Sequence, residues 1–281
     1  GSAVTEIHDI LVNQSRPEAE KRFIESTRSQ YLGGGIVLCK ILGDKTFFVP
    51  GDDFGLSPHL IFEGFWEFWL TKYFALSIKP GDVVIDIGAN LGYYTILAAD
   101  LVTDAGKVLA VEPNPYIYSL LTKNVGINGY WHRVEALNFA LSDTSDKKRL
   151  PFFVPTGEPK NGRIIDDNAN IEQLGKLGTV LDVPIGALEA DRFDRVDFIK
   201  IDVEGAELAV LTHLRPIIER FSPRIVCEVN FSRGYSYDDV QAALGTAEDL
   251  LHLDFNASVG PLSREMSKNE RVGEDWLVCL N

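Results

Sequence analysis

The sequence predicts an α/β fold: a doubly wound, mostly parallel sheet of about seven strands with an antiparallel final hairpin, joined to a small N-terminal collar. Three observations predict it. From Lys79-Pro80-Gly81 onward, short apolar runs rich in β-branched residues alternate with segments whose apolar residues recur at helical spacing. One run, Val83–Ile87, passes through glycines straight into a helical pattern. The 281 residues, 45% hydrophobic and 24% charged, bury a full core without staples.

The elements follow in chain order. Residues 16–30 are charged and helix-friendly, and Gly33-Gly34-Gly35 breaks the pattern. The runs 36–42 and 46–49 flank a turn at Gly43-Asp44 and read as a hairpin. Residues 62–73 are dense in aromatics and read as a helix with a wide apolar face. These parts make residues 1–75 a collar on a main domain at 76–281. Strands are expected at 83–87, 107–111, 134–141, 197–202 and 224–229, with helices at 93–101, 116–125 and 206–220 between them. Ser236 with Asp239 three residues on marks another helix start. The runs 250–255 and 276–280 close the sheet as an antiparallel pair. Residues 155–178, rich in Gly, Asn, Asp and Lys, interrupt the alternation and read either as a lid over the site or as a tolerated surface insertion.

Charge narrows the partners. With 27 Lys and Arg against 41 Asp and Glu, the net charge of -14 disfavours nucleic acid and anionic membrane. The basic cluster Lys147-Lys148-Arg149 reads as a solvated face. No apolar stretch reaches the ~18 residues that span a bilayer, no signal-peptide pattern opens the chain, and Gly1-Ser2 reads as a cloning remnant, so a cytoplasmic location is expected by default. Cys39, Cys227 and Cys279 are odd in number and far apart, and read as buried free thiols.

The chemistry concentrates at strand ends. A dinucleotide fingerprint beginning at Gly88 needs glycines at positions 90 and 93, where Asn90 and Tyr93 stand. The spacing present is Asp86-x-Gly88-x-x-x-Gly92, and an acid beside such a turn suits an ammonium or sulfonium better than a pyrophosphate. Glu112 closes the next strand, where a carboxylate accepts hydrogen bonds from both ribose hydroxyls. The two features together favour S-adenosylmethionine over NAD. Strand alternation puts Lys200 and Asp202 on one face, and Glu228 and Asn230 on one face of the following strand. Lys200, Asp202 and Glu228 are therefore expected together at the carboxyl edge, either as a structural lysine-to-carboxylate bridge or as catalytic groups. In the catalytic reading Asp202 positions or deprotonates an acceptor and Lys200 tunes it. Glu204 and Glu207 open the following helix as dipole-stabilising acids. The five histidines lack metal-ligand spacing, so no metal is expected; His213 reads as an ordinary helix residue and His59 as a minor candidate base.

Residues 76–95 (LSIKPGDVVIDIGANLGYYT), 111–115 (VEPNP), 138–143 (NFALSD) and 198–207 (FIKIDVEGAE) together resemble the FkbM-family S-adenosylmethionine-dependent methyltransferases, over roughly residues 54–230. The resemblance implies a Rossmann-like seven-stranded methyltransferase sheet and O-methylation of a hydroxyl on a small molecule or glycan. It also adds Gly64 and Glu67 as matches to a Gly and a Glu often found before the first strand, with Glu67 on the cofactor side. Many related enzymes carry an Asp for adenine just after the third strand. Here Ala140 takes that place, which leaves the backbone of 138–141 or the Asn138 side chain to hold the adenine edge. The alternative is a non-catalytic S-adenosylmethionine-binding or scaffold domain, which need not keep Lys200, Asp202 and Glu228. A dehydrogenase ranks third, against Asn90 and Tyr93.

Overall fold

The computed structural model describes residues 4–142, 147–165 and 169–281; Gly1, Ser2, Asp143 of the 138–143 motif and residues 166–168 of the expected lid lie outside the described residues. The chain opens with α1 (Glu6–Asn13), capped by Thr5, and α2 (Arg16–Ser26), capped by a Ser15/Glu18 capping box. Three strands follow, β1 (Ser29–Gly33), β2 (Ile36–Ile41) and β3 (Lys45–Pro50), paired antiparallel in that order. The expected hairpin is β2 and β3. The expected helix over 16–30 ends at Ser26 because Gly33, Gly34 and Gly35, all at positive φ, turn the chain back and pull residues 29–33 into a third strand.

The aromatic segment is not one helix. It divides into α3 (Ser57–Phe62) and α4 (Phe68–Ser77), separated at Gly64 (φ +75°) and Glu67 (φ +39°). A Cβ at Gly64 would press on the Phe23 carbonyl oxygen at 3.1 Å, and the Gly64 carbonyl accepts from Leu42 N–H at 2.8 Å, so the bend is tied to the collar sheet. The boundary expected at residue 75 falls inside α4.

The main sheet is built from β4 (Val83–Ile87), α5 (Tyr93–Val102), β5 (Lys107–Val111), α6 (Pro115–Ile127) and β6 (Val134–Leu137). The run 134–141 does not continue as one strand. Asn138 turns its amide onto the carbonyls of Glu112 (2.8 Å) and Pro113 (3.1 Å), and the chain leaves the main sheet as β7 (Ala140–Leu141). An arm follows: β8 (Arg149–Pro155), a 3-10 turn at Pro159–Asn161, β9 (Arg163–Ile164), α7 (Ile171–Gly175) and β10 (Gly178–Gly186). With β7 these strands form a second sheet in the order β7-β10-β8-β9. The described residues of the expected loop at 155–178 thus belong to the tip of an antiparallel β-arm.

The chain returns through β11 (Phe198–Ile201), α8 (Glu207–Phe221), β12 (Arg224–Val229), α9 (Tyr237–Leu244), β13 (Leu250–Leu253), β14 (Val259–Leu262), α10 (Arg264–Asn269) and β15 (Trp276–Leu280). The sheet order is β14-β13-β15-β12-β11-β4-β5-β6, parallel from β12 to β6 and antiparallel at β15, β13 and β14. Among the described residues the seven expected strands are joined by an eighth, β14. This is a Rossmann-like α/β sheet whose strand order reverses beside β4, so the carboxyl ends of β4, β5 and β11 open a crevice.

Two apolar cores cover the sheet. One joins the collar to α5 and α6, and the other packs α8 and α9. The collar is pinned by polar contacts as well. Asn124 of α6 and Asn128, which caps it, bond the backbone of Phe48 and Thr46 in β3, as strand neighbours would. Cys39, Cys227 and Cys279 are buried and free, and among the described residues no helix is long and apolar enough to cross a membrane.

Candidate active site

The turn after β4 is held internally. Gly88 and Ala89 N–H both donate to the Val111 carbonyl at 3.0 Å, and Asn90 N–H donates to Glu112 Oε1 at 2.8 Å. Gly88 has φ +79°, and a Cβ there would overlap the Asp202 carbonyl oxygen. At Gly92 a Cβ would come within 2.6 Å of Leu121 Cδ1. These glycines therefore let β4 approach β11 and α5 approach α6, a packing demand that sequence spacing alone assigns to the ligand.

Asp86 is expected to face the cofactor, and the structure gives it an internal role instead. It is 1% exposed; Oδ1 accepts from Lys200 Nζ at 3.0 Å and Oδ2 from Thr95 Oγ1 at 2.7 Å. Lys200 also donates to the Gly88 carbonyl at 3.1 Å. Burial pulls the Lys200 ammonium down, and Asp86 and Asp202 more than reverse it, so the group stays charged. The lysine-to-carboxylate bridge exists, but its partner is Asp86 rather than Asp202. Asn138 is likewise spent on the Glu112–Pro113 backbone, whereas its neighbour Ala140 does line the crevice.

The crevice holds two cavities. One, of about 50 Å³, is walled by Glu112 on one side and by Phe139, Ala140, Phe152 and Ile164 on another. The second, of about 170 Å³, lies toward the collar and is lined by Trp66, Glu67, Tyr94, Lys200, Asp202 and Glu228 among others. Gly88, Asn90, Lys160 and Asp202 belong to both walls. Glu112 Oε2 accepts from Asn114 N–H at 2.9 Å, completing its clamp on the turn. Burial lifts its carboxyl to about 7 against the pull of those two backbone bonds.

The collar-side cavity is crowded with acid. Glu67 accepts from Tyr94 OH at 2.8 Å, and burial followed by the Asp202 charge lifts it to about 7. Burial and the neighbouring carboxylates push Glu228 well above the usual carboxylate range, and burial raises Asp202 despite Lys200. Asp202, Glu204 and Glu228 offer oxygens all within 4.8 Å of one another, the grouping among the described residues that could hold a metal ion. Sequence spacing did not show it, because the three come from two strands' ends. Arg233 already serves one member, reaching Glu204 Oε2 at 2.8 Å while also pairing with Glu207 and, at 3.3 Å, Asp275.

Sequence reasoning thus placed Lys200, Asp202 and Glu228 in one cavity wall, together with Glu67 from the collar. It missed Phe152, Lys160 and Ile164, which reach the crevice through the arm, and the Phe139 side chain, which reaches it from the turn between β6 and β7; the signal for the arm residues was an unexplained long connection. His59 pairs with Glu63 at 3.1 Å and stacks near Trp66 outside either cavity wall, and His213 accepts from Leu188 N–H at 2.9 Å.

The raised carboxyls have a consequence for stability. Glu67, Glu112 and Glu204 sit near 7 in the folded chain, against ~4.3 unfolded. The folded chain therefore binds more protons between those values, and the stability that they contribute is lost as pH rises through about 7. Thermal melting of the ligand-free protein should give a lower midpoint at pH 8 than at pH 6, with Glu112→Gln flattening the slope. A midpoint that rises over that interval contradicts these protonation states.

A 28% identical relative, methyltransferase sdnD of Sordaria araneosa, aligns with 50% of this chain and 62% of its own length. The 31-O-demethyl-FK506 methyltransferase FkbM of Streptomyces tacrolimicus is 29% identical over 201 residues, 63% of this chain and 73% of that one. This chain thus spans less than two thirds of sdnD. A crystal structure of methyltransferase FkbM from Methylobacillus flagellatus KT superposes with a TM-score of 0.43 at 13% identity, covering 75% of this chain and 50% of that one. The family profile described as the methyltransferase FkbM domain matches residues 86–254, more than half of the sequence. The chain belongs to the FkbM methyltransferase domain family.

Proposed function

We propose that the chain transfers a methyl group from S-adenosylmethionine to a hydroxyl oxygen of a small molecule or glycan. The observation that carries the reading is the pairing of Glu112 with a raised, clamped carboxyl at the end of β5 and an acid-lined cavity on the other side of Asn90. The cofactor fits these residues chemically. Phe139, Ala140, Phe152 and Ile164 offer apolar surface to a purine, Glu112 has lone pairs for ribose hydroxyls, and Glu67, Asp202 and Glu228 suit a sulfonium and an ammonium. The oxygen acceptor is supported by the Streptomyces tacrolimicus relative, a 31-O-demethyl-FK506 methyltransferase.

Bound there, S-adenosylmethionine supplies an activated methyl group, which leaves the protein to align, desolvate and deprotonate the acceptor. Asp202 is the proposed base. It sits at the end of β11 where both cavities meet, and burial raises its carboxyl, the direction that makes a carboxylate a stronger base. Lys200 is a positioning residue, fixing the turn through Asp86 and Gly88 and setting the field at Asp202. Glu228, whose carboxyl is raised by burial and by the neighbouring Asp202, lines the same cavity as the second carboxyl group beside the acceptor. The reading includes metal independence, because the Arg233 guanidinium is already the counter-charge at Glu204. The residues in the cavity wall favour an enzyme over a scaffold, which has no use for them.

Glu112→Ala is expected to weaken S-adenosylhomocysteine by about 1.5–3 kcal/mol, the scale of a lost charged hydrogen-bond partner. Calorimetry reads this directly. Unchanged affinity would place the ribose elsewhere, and tight NAD binding without any response to S-adenosylhomocysteine would remove the assignment.

A further inference from the structure

The cofactor's methionine end carries an ammonium and, in the substrate form, a sulfonium, but also one carboxylate. The collar-side cavity that would receive it is lined by Glu67, Asp202, Glu204, Glu228 and Asp275, so its two positive groups are well served and its carboxylate is not. An anion there needs a cation or free N–H groups. The cavity's walls contain two lysines, Lys160 and Lys200. Lys200 is 4% exposed and committed to Asp86 Oδ1 and the Gly88 carbonyl from beneath the turn. The amides of Gly88, Ala89, Asn90, Leu91 and Gly92 are committed too, to Val111, Glu112, Asn90 Oδ1 and Ala89.

Lys160 is different. Among the described residues its ammonium has no hydrogen-bond or ion-pair partner, and it rests 4.7 Å over the Trp66 ring. Its stem passes so close to Gly55 that a Cβ there would overlap it, and the arm tip beside it is fastened by Phe54 N–H donating to the Gly157 carbonyl at 2.7 Å. The side chain stands where the two cavities share a wall. At about 50 and 170 Å³, they fall below the ~300–1,000 Å³ of typical small-molecule sites. A ligand that spans both must therefore displace what stands between them, and Lys160 is the cation at that point, in the field of Glu67 but held by no hydrogen bond or ion pair among the described residues.

We infer that Lys160, carried by the β-arm, binds the α-carboxylate of the cofactor. The inference rests on the S-adenosylmethionine reading above. It makes the arm more than a cover: the ammonium exchanges the Trp66 face for a carboxylate, so the arm tip is tied to an occupied site. The alternative anchor is the first-turn N–H groups of α5, which no side chain caps.

The test is calorimetric and needs no turnover. Wild type and Lys160→Met are titrated with S-adenosylhomocysteine and with its decarboxylated analogue, S-adenosyl-3-thiopropylamine; both have a neutral sulfur, so only the carboxylate differs. Wild type should prefer S-adenosylhomocysteine by about tenfold or more, and Lys160→Met should lose that preference by weakening S-adenosylhomocysteine alone. Lys160→Arg should retain it, which separates a lost charge from a damaged arm. A preference that survives in Lys160→Met overturns the inference in favour of the α5 amides, and a wild type indifferent to the carboxylate overturns it outright. A wild type that binds neither ligand defeats the cofactor reading itself, a distinct result.

Discussion

Lys200→Met is expected to lower the stability of the fold by about 3–5 kcal/mol, the cost of stripping one partner from a buried ion pair. Asp86 would then sit 1% exposed with Thr95 as its remaining side-chain partner, and the Gly88 carbonyl would lose its donor. The pair lies between the central strands β4 and β11, where Lys200 and Asp86 are directly in register, so the orphaned Asp86 carboxylate stays buried between paired strands. Against a typical ~5–15 kcal/mol of total stability, such a loss is large. Urea unfolding of wild type, Lys200→Met and the double variant Asp86→Asn/Lys200→Met measures it. The double variant should recover part of the loss, since it removes the orphaned charge. A single variant that unfolds at the wild-type midpoint would mean that the pair is not a structural element.

Asp202→Asn is expected to behave in the opposite way, with folding retained and turnover lowered by at least about tenfold. From sequence alone, removal of Asp202 leaves Lys200 without an assigned partner. The structure separates the two roles: Lys200 keeps Asp86, and the Asp202 carboxylate accepts no hydrogen bond among the described residues. Asparagine keeps the shape at the end of β11 while abolishing the base, and it also lessens the repulsion among Asp202, Glu204 and Glu228. Melting beside the rate of methyl transfer reads both effects. A slow variant with an intact melt supports the base assignment. Full rate with an intact fold would remove Asp202 from the mechanism and leave Glu228 as the carboxylate to test, whereas a collapsed melt would make Asp202 structural.

The parallel strands were legible because each is a short apolar run ending in a residue of unusual character: Ile87 before Gly88, Val111 before Glu112, Ile201 before Asp202. What could not be read was set by contacts distant in sequence. In 62–73 the local signal of a break is the single glycine Gly64, which a helix tolerates; the bend at Gly64 and Glu67 is fixed by Phe23 and Leu42 across the collar. The arm at β8–β10 escaped because its strands pair with each other and with β7 outside the main sheet. Lys160 sits in a polar loop whose sequence carries no motif, and only the folding of that loop over the crevice gives it a role. Asp86 shows the converse. Its position at a strand end was read correctly, yet the ammonium beside it is supplied by Lys200 from the neighbouring strand.

The most direct test of the account is wild-type methyl transfer, followed by mass spectrometry, with S-adenosylmethionine and a panel of hydroxylated small molecules and glycans, in the presence and absence of EDTA. The account predicts that one class of acceptor yields S-adenosylhomocysteine and an O-methylated product in equal amounts, and that the chelator leaves the yield unchanged. If the protein binds S-adenosylhomocysteine at the Glu112 crevice yet methylates nitrogen or carbon instead of oxygen, or transfers methyl only when a divalent cation is restored to Asp202, Glu204 and Glu228, the central claim is contradicted.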